Sequence, residues 1–160
     1  MKKLKDIWSK LTPRQRFIAF VVAVLLIWWL WNKFKPAIKS AAKNVQNTSE
    51  TAMLQQQGIK PSYKAEVYNQ FADNLYKYMD GSGTDEEGVY RVFKYIHNDA
   101  DFLKLDSAFG IREAIDNLFG FIEAEDLNGW ITADFSSSEV KKLNSYLKTK
   151  GITKQFKIAS

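Results

Sequence analysis

The residue types best suited to chemistry gather in one stretch, Met79-Asp80-Gly81-Ser82-Gly83-Thr84-Asp85-Glu86. Glycines allow close backbone approach or positive φ, carbonyls of such a turn can point at a cation, and carboxylates are hard oxygen ligands suited to calcium. The same residues also read as a flexible turn followed by a helix cap, with Asp85 and Glu86 favoured by the positive field at a helix amino terminus. They do not match an EF-hand loop, which needs oxygen ligands at alternating positions and a closing glutamate. Elsewhere the inventory is thin. His97 is the only histidine and there is no cysteine, which excludes a Cys-His nucleophile pair, a thiolate zinc site and a histidine-rich metal centre. His97, beside Asn98 and Asp99, reads as a helix-end residue. The pairs Asp99/Asp101 and Glu123/Glu125 could serve as acid and base on a glycan, but residues two apart on a helix do not share a face, so charged surface positions are the simpler reading. With no phosphate-binding lysine loop, dinucleotide fingerprint or serine elbow, the sequence predicts a protein that is not an enzyme.

The element that sets the location of everything else is the run Phe17 to Trp31, fifteen residues without a polar side chain. As a helix it covers roughly 23 Å, and the flanks bring it close to the roughly 30 Å hydrocarbon core of a bilayer. Arg14 and Arg16 before it, and Lys33 and Lys35 after it, can extend their stems along the helix to the headgroups, while Trp28, Trp29 and Trp31 suit one interface. A buried helix of a soluble domain would show a polar face, and this run has none in four turns. A cleaved export signal would end in small residues, but here asparagine, lysines, phenylalanine and Pro36 follow, so an uncleaved single-pass anchor is expected.

Charge follows the same division. The formal net charge of +5 combines +9 on residues 1–43 with −4 on residues 44–160. The basic excess belongs to the membrane collar, so nucleic-acid binding is not expected. Six basic residues precede the span and four follow it closely, which favours an internal amino terminus and an external or periplasmic carboxy-terminal domain.

The expected organisation is a basic internal tail at 1–16, a transmembrane helix at 17–34, a juxtamembrane helix and linker at 35–61, and a helical domain at 62–160. Pro36 is placed early in the juxtamembrane helix, whose Lys39 and Lys43 are expected to meet anionic lipid. Gln46 to Ser62 reads as a tether with at most a marginal helix. Within the domain, Ser62 is expected to cap a helix carrying Tyr63, Val67, Phe71, Leu75 and Tyr78-Met79. Thr84 and Glu87 form a capping box before Val89, Val92-Phe93 and Ile96. Asp99 is the expected cap of a third helix, and Ile111, Ile115, Leu118-Phe119 and Ile122 suggest a fourth. A short helix over Glu125 to Ala133 follows. Ser136 and Glu139 then form a second capping box for a last helix closed by Gly151 with Ile152. The predicted class is all-α.

On Gly81, Gly83, Thr84, Asp85 and Glu86, followed by Val89, Phe93, Ile96 and Ala108-Phe109-Gly110, the chain resembles an annexin repeat. The later segments around Leu127-Asn128-Gly129-Trp130-Ile131 and Phe135 to Asn144 resemble a single-copy annexin-like domain found in proteins of the Bacteroidetes group and their phages. The resemblance implies a bundle of about five helices that binds anionic membranes through calcium. It implies the carbonyls of Met79, Gly81 and Gly83 as loop ligands and a distant carboxylate from Glu125, with Glu123 and Asp126 as alternatives. The domain, however, is a single copy on a permanent anchor. The favoured expectation is therefore a membrane-anchored structural or adaptor protein of a membrane-associated assembly, with a phage or virion membrane as one setting. Its partners would be the lipid bilayer and proteins, including copies of itself. A calcium-dependent lipid-binding module is the alternative.

Overall fold

The structure is a computed structural model, and it describes residues 12–80, 83–113 and 124–158. The chain divides into two compact units at Pro36. Among the described residues the architecture is helical: α1 (Pro13–Gln56), α2 (Ala65–Met79), α3 (Glu86–Lys94), α4 (Asp99–Phe109), α5 (Leu127–Asp134) and α6 (Ser137–Thr149). One short antiparallel ladder joins β1 (Ile111–Arg112) to β2 (Glu125–Asp126), with Ile111 opposite Asp126 and Arg112 opposite Glu125.

The first unit is the amino-terminal part of α1. Pro13 opens the helix, where its missing N–H would have been unpaired in any case. Thr12 and Gln15 exchange bonds across this end: Thr12 N–H donates to Gln15 Oε1 at 2.9 Å and Gln15 N–H to Thr12 Oγ1 at 3.4 Å. That is the reciprocal pattern of a capping box. Pro36 lies inside the helix rather than near a helix start, and it removes one helical hydrogen bond there.

The second unit begins with the rest of α1. The expected tether over 46–62 is therefore corrected as far as Gln56: that part is helical and contributes the buried residues Asn47 and Thr51. Tertiary partners outweighed its weak apolar pattern. Asn47 Nδ2 donates to Asp106 Oδ2 at 2.9 Å and to Ser107 Oγ at 3.1 Å. Lys43 Nζ donates to Asp106 at 2.7 Å and to Asp126 at 2.8 Å. Lys39 pairs with Glu125 at 2.8 Å, and Lys154 with Glu50.

The core is formed by one stripe from each of α2 to α6. On α2 it is Tyr68, Ala72, Leu75 and Met79: Leu75 and Met79 are buried as expected, while Tyr68 and Ala72 take the core in place of half-buried Val67 and Phe71. Val89, Val92, Phe93 and Ile96 face it, with Phe102, Leu105 and Phe109 from α4. Leu127, Trp130 and Ile131 of α5 and Val140, Leu143 and Leu147 of α6 complete it. An extended tail closes the bundle: the Phe156 ring sits 5.5 Å from that of Phe93 and 5.4 Å from that of Phe102. The buried Asn144 side chain holds the Phe156 backbone, donating to its carbonyl at 2.9 Å and accepting from its N–H at 2.8 Å.

Three expected caps are each moved. Ser62 does not cap α2, whose N-cap is Lys64 with no side-chain bond; Ser62 instead donates from backbone and hydroxyl to Asp101. The cap of α3 is Asp85, which accepts from Gly88 N–H at 2.8 Å, rather than Thr84. Asn98 caps α4 and frees Asp99 to accept from Thr153. The Ser136–Glu139 capping box is present as expected. At the end of α6, Gly151 at φ +76 takes the left-handed position. Gly151 N–H donates to Lys148 and Ile152 N–H to Leu147, completing a Schellman closure over buried Ile152. Of the expected fourth helix, Ile111 lies in β1 because Gly110, at φ +63, turns the chain out of α4. Ile115, Leu118, Phe119 and Ile122 lie outside the described residues.

Lys43 faces two part-buried carboxylates with its own side chain 23% exposed, whereas Lys39 and Glu125 are 45% and 37% exposed. Removing the shared cation leaves two desolvated negative charges facing each other, so Lys43→Met should cost about 3 kcal/mol of stability. Lys39→Ala should cost under about 1 kcal/mol. Chemical denaturation of the full chain in detergent, followed by tryptophan fluorescence, reads both.

Candidate functional site

The apolar window of α1 is long and apolar enough to cross a membrane, and none of it is buried. Phe17 through Trp31 are exposed apart from half-buried Ala19. Trp28, Trp29 and Trp31 project outward, and the ammonium of Lys33 lies 5.1 Å from the Trp29 ring centroid. This is a cation–π contact between residues one helical turn apart. Arg14 and Lys35 are exposed and Arg16 is half-buried.

At the glycine turn, Met79 places its side chain in the core and Gly83 has φ +110. Gly81 lies outside the described residues. Asp85 is used structurally: Oδ1 caps α3 and Oδ2 accepts from Arg91 at 3.2 Å. Gly88 allows the start of α3 to approach closely, since a Cβ there would meet the Tyr78 ring at 2.7 Å. The carboxylates that the resemblance assigned to this loop have other partners. Glu125 is held by Lys39, Asp126 by Lys43 and by the Gly129 N–H it caps, and Glu123 lies outside the described residues. Burial alone would push Asp126 up, but the Lys43 hydrogen bond, the Gly129 N–H and the lysine charges outweigh it and hold its carboxyl below the usual range.

The carboxylate that does belong to this neighbourhood is Asp134, at the end of α5. Its pKa is raised by burial first, opposed by a hydrogen bond from Thr84 and reinforced by the negative charge of Asp80. Its Oδ2 is buried with no hydrogen-bond partner among the described residues. Sequence reasoning passed over it because it lies 51 residues beyond Gly83 in the chain. Among the described residues, no group of three or more His, Cys, Asp and Glu side chains could hold a metal ion.

The other polar candidates are structural. Asp101, expected at the surface, is fully buried and accepts from Ser62 N–H, Ser62 Oγ, Tyr68 OH and His97 N–H at 2.6 to 2.8 Å. Four donors satisfy the two oxygens of this buried side chain. The His97 ring contacts the Tyr63 hydroxyl through Nε2 at 2.9 Å. A cleft of about 420 Å³ lies between α1 and the tail, lined by Lys43, Glu50, Asp106, Asp126 and Lys154 among others. These five charges are paired with one another across it.

No family model, curated protein or solved structure matches the chain.

Asp134 gives a test of the turn that is independent of any ligand. A carboxyl whose folded pKa is raised stabilises the fold while protonated, and that contribution is lost as pH rises through the folded value. Asp134→Asn should therefore raise the thermal midpoint near pH 7 and leave it little changed near pH 3. Melts of the full chain across this range, followed by circular dichroism, read the difference.

Proposed function

We propose that the chain is a single-pass membrane protein that presents a small helical domain at a bilayer, as a structural or adaptor component of a membrane-associated assembly. The observation that carries this reading is the apolar window of α1, which has no polar face and no buried residue. Such a helix satisfies its backbone internally and calls for lipid or other helices around it. The basic residues before the span favour an inside location for the segment that carries them, with the domain external. The role is non-enzymatic. The membrane of a phage or other lipid-containing virion is the setting that the annexin-like resemblance suggests, and a bacterial inner membrane is the other.

Full-length protein expressed in a bacterial host should float with membranes and stay in the pellet after alkaline carbonate extraction. Quantitative release into the supernatant would end the anchor reading. Absence from purified virions by mass spectrometry would remove the viral setting alone.

A second reading, calcium-dependent lipid binding, is favoured by one observation: the unpartnered Asp134 oxygen beside the glycine turn. In this reading Asp134, rather than Glu125, supplies the carboxylate that completes the loop carbonyls of Met79, Gly81 and Gly83. Calorimetry of the detergent-solubilised full chain should then show heat with calcium that Asp134→Asn abolishes. Absence of heat at millimolar calcium discards it.

A further inference from the structure

The part of α1 beyond Pro36 uses its polar side and leaves its apolar side bare. Lys43, Asn47, Glu50, Thr51 and Leu54 turn toward the domain and are buried or half-buried. On the opposite face, Ile38, Ala41, Ala42, Val45 and Ala52 fall within about 60° of one line at 100° per residue, with Ser49 the polar residue among them. All five are exposed, Ile38 at 57% and Val45 at 70%. An ordinary surface helix is arranged the other way, with its apolar stripe against its own core.

The charges show what this bare face fits. Residues 37–57 contain three charged side chains, Lys39, Lys43 and Glu50, and each is paired with the domain. This face is therefore electroneutral: its polar members, Ser49 on the line and Thr48 at the position equivalent to Ala41 one repeat on, carry no charge. An anionic lipid surface would be met by lysines on this face, as the sequence alone suggested, but both lysines are committed to carboxylates of the domain. Two identical copies, in contrast, meet here without like-charge repulsion. Ile38, Val45 and Ala52 recur every seven residues with Ala41 between the first two, the spacing of a coiled-coil seam. β-branched residues at that position favour two strands, and the alanines allow close approach.

We propose that the occupant of this face is a second copy of the chain, paired in parallel through Ile38, Ala41, Val45 and Ala52. The inference rests on the anchored reading above. A seam of about four turns buries less than the roughly 1,200 Å² of a stable soluble interface. Two anchors in one bilayer supply the high effective concentration that lets so short a seam close, and they enforce the parallel orientation.

The absence of cysteine makes the test direct. Single cysteines are placed in the full chain at Ile38, Ala41, Val45 and Ala52, and at the exposed off-line positions Gln46 and Gln57, and membranes are oxidised with copper phenanthroline. Disulfide-linked dimer is expected at the four seam positions in several-fold greater yield than at the two controls. Adding Val45→Asp to the Ala41→Cys chain should abolish its dimer while leaving helicity unchanged by circular dichroism. Equal yields at all six positions, no dimer at any, or an Ala41→Cys dimer that survives Val45→Asp would each overturn the pairing. Carbonate extraction of the same membranes separates the two claims. A chain that stays in the pellet without the seam pattern defeats the pairing alone, whereas a chain released from the membrane defeats the anchor and the pairing with it.

Discussion

One ammonium group ties the second unit together. Lys43 reaches from α1 to Asp106 on α4 and to Asp126, which ends β2 and caps α5. Asn47, one turn along the helix, takes the second oxygen of Asp106 and adds Ser107. A partly buried charge pair of this kind contributes little net stability compared with apolar packing, since both partners lose their hydration. What it fixes is geometry. Only one rotation of α1 and one register along its axis can bring Lys43 and Asn47 to the same carboxylate.

That rotation decides which face of α1 is left outside. With Lys39, Lys43 and Glu50 all turned inward, Ile38, Ala41 and Val45 have no choice but to face out. The polar dock and the bare apolar line are two consequences of one constraint. The last two of the ten basic residues in 1–43, Lys39 and Lys43, pair with carboxylates of the acidic domain as part of the same arrangement.

Much of the domain could be read from the chain because its helices carry local signals that agree with their packing. The stripe Val89, Val92-Phe93 and Ile96, the Ser136–Glu139 box and the Gly151–Ile152 closure all rest on residues within a few positions of one another. Signals failed where two residues competed for one role. Asn98 and Asp99 are both good caps, and so are Thr84 and Asp85; in each pair the choice turned on what else the side chain could reach. Asp99 was drawn to Thr153, 54 residues away, and Ser62 to Asp101, 39 residues away. At the glycine turn the same limit applied: the loop was legible, but Asp134 was not, since it depends on how α5 packs against Thr84 and Asp80.

The sequence by itself determined that a helix from Phe17 to Trp31 has no polar face, that the domain after it is helical, and that thiol and multi-histidine chemistry is absent. These follow from residue type and short-range period, which depend on nothing outside the segment. Only the tertiary structure decided that residues 46–56 are helix rather than tether, that Asp101 is interior, and that Lys39 and Lys43 face carboxylates. The physical reason is that a polar side chain has no inside or outside until its partner is placed. An apolar run carries its preference wherever it goes, whereas a lysine or an asparagine takes its side from the group that bonds it.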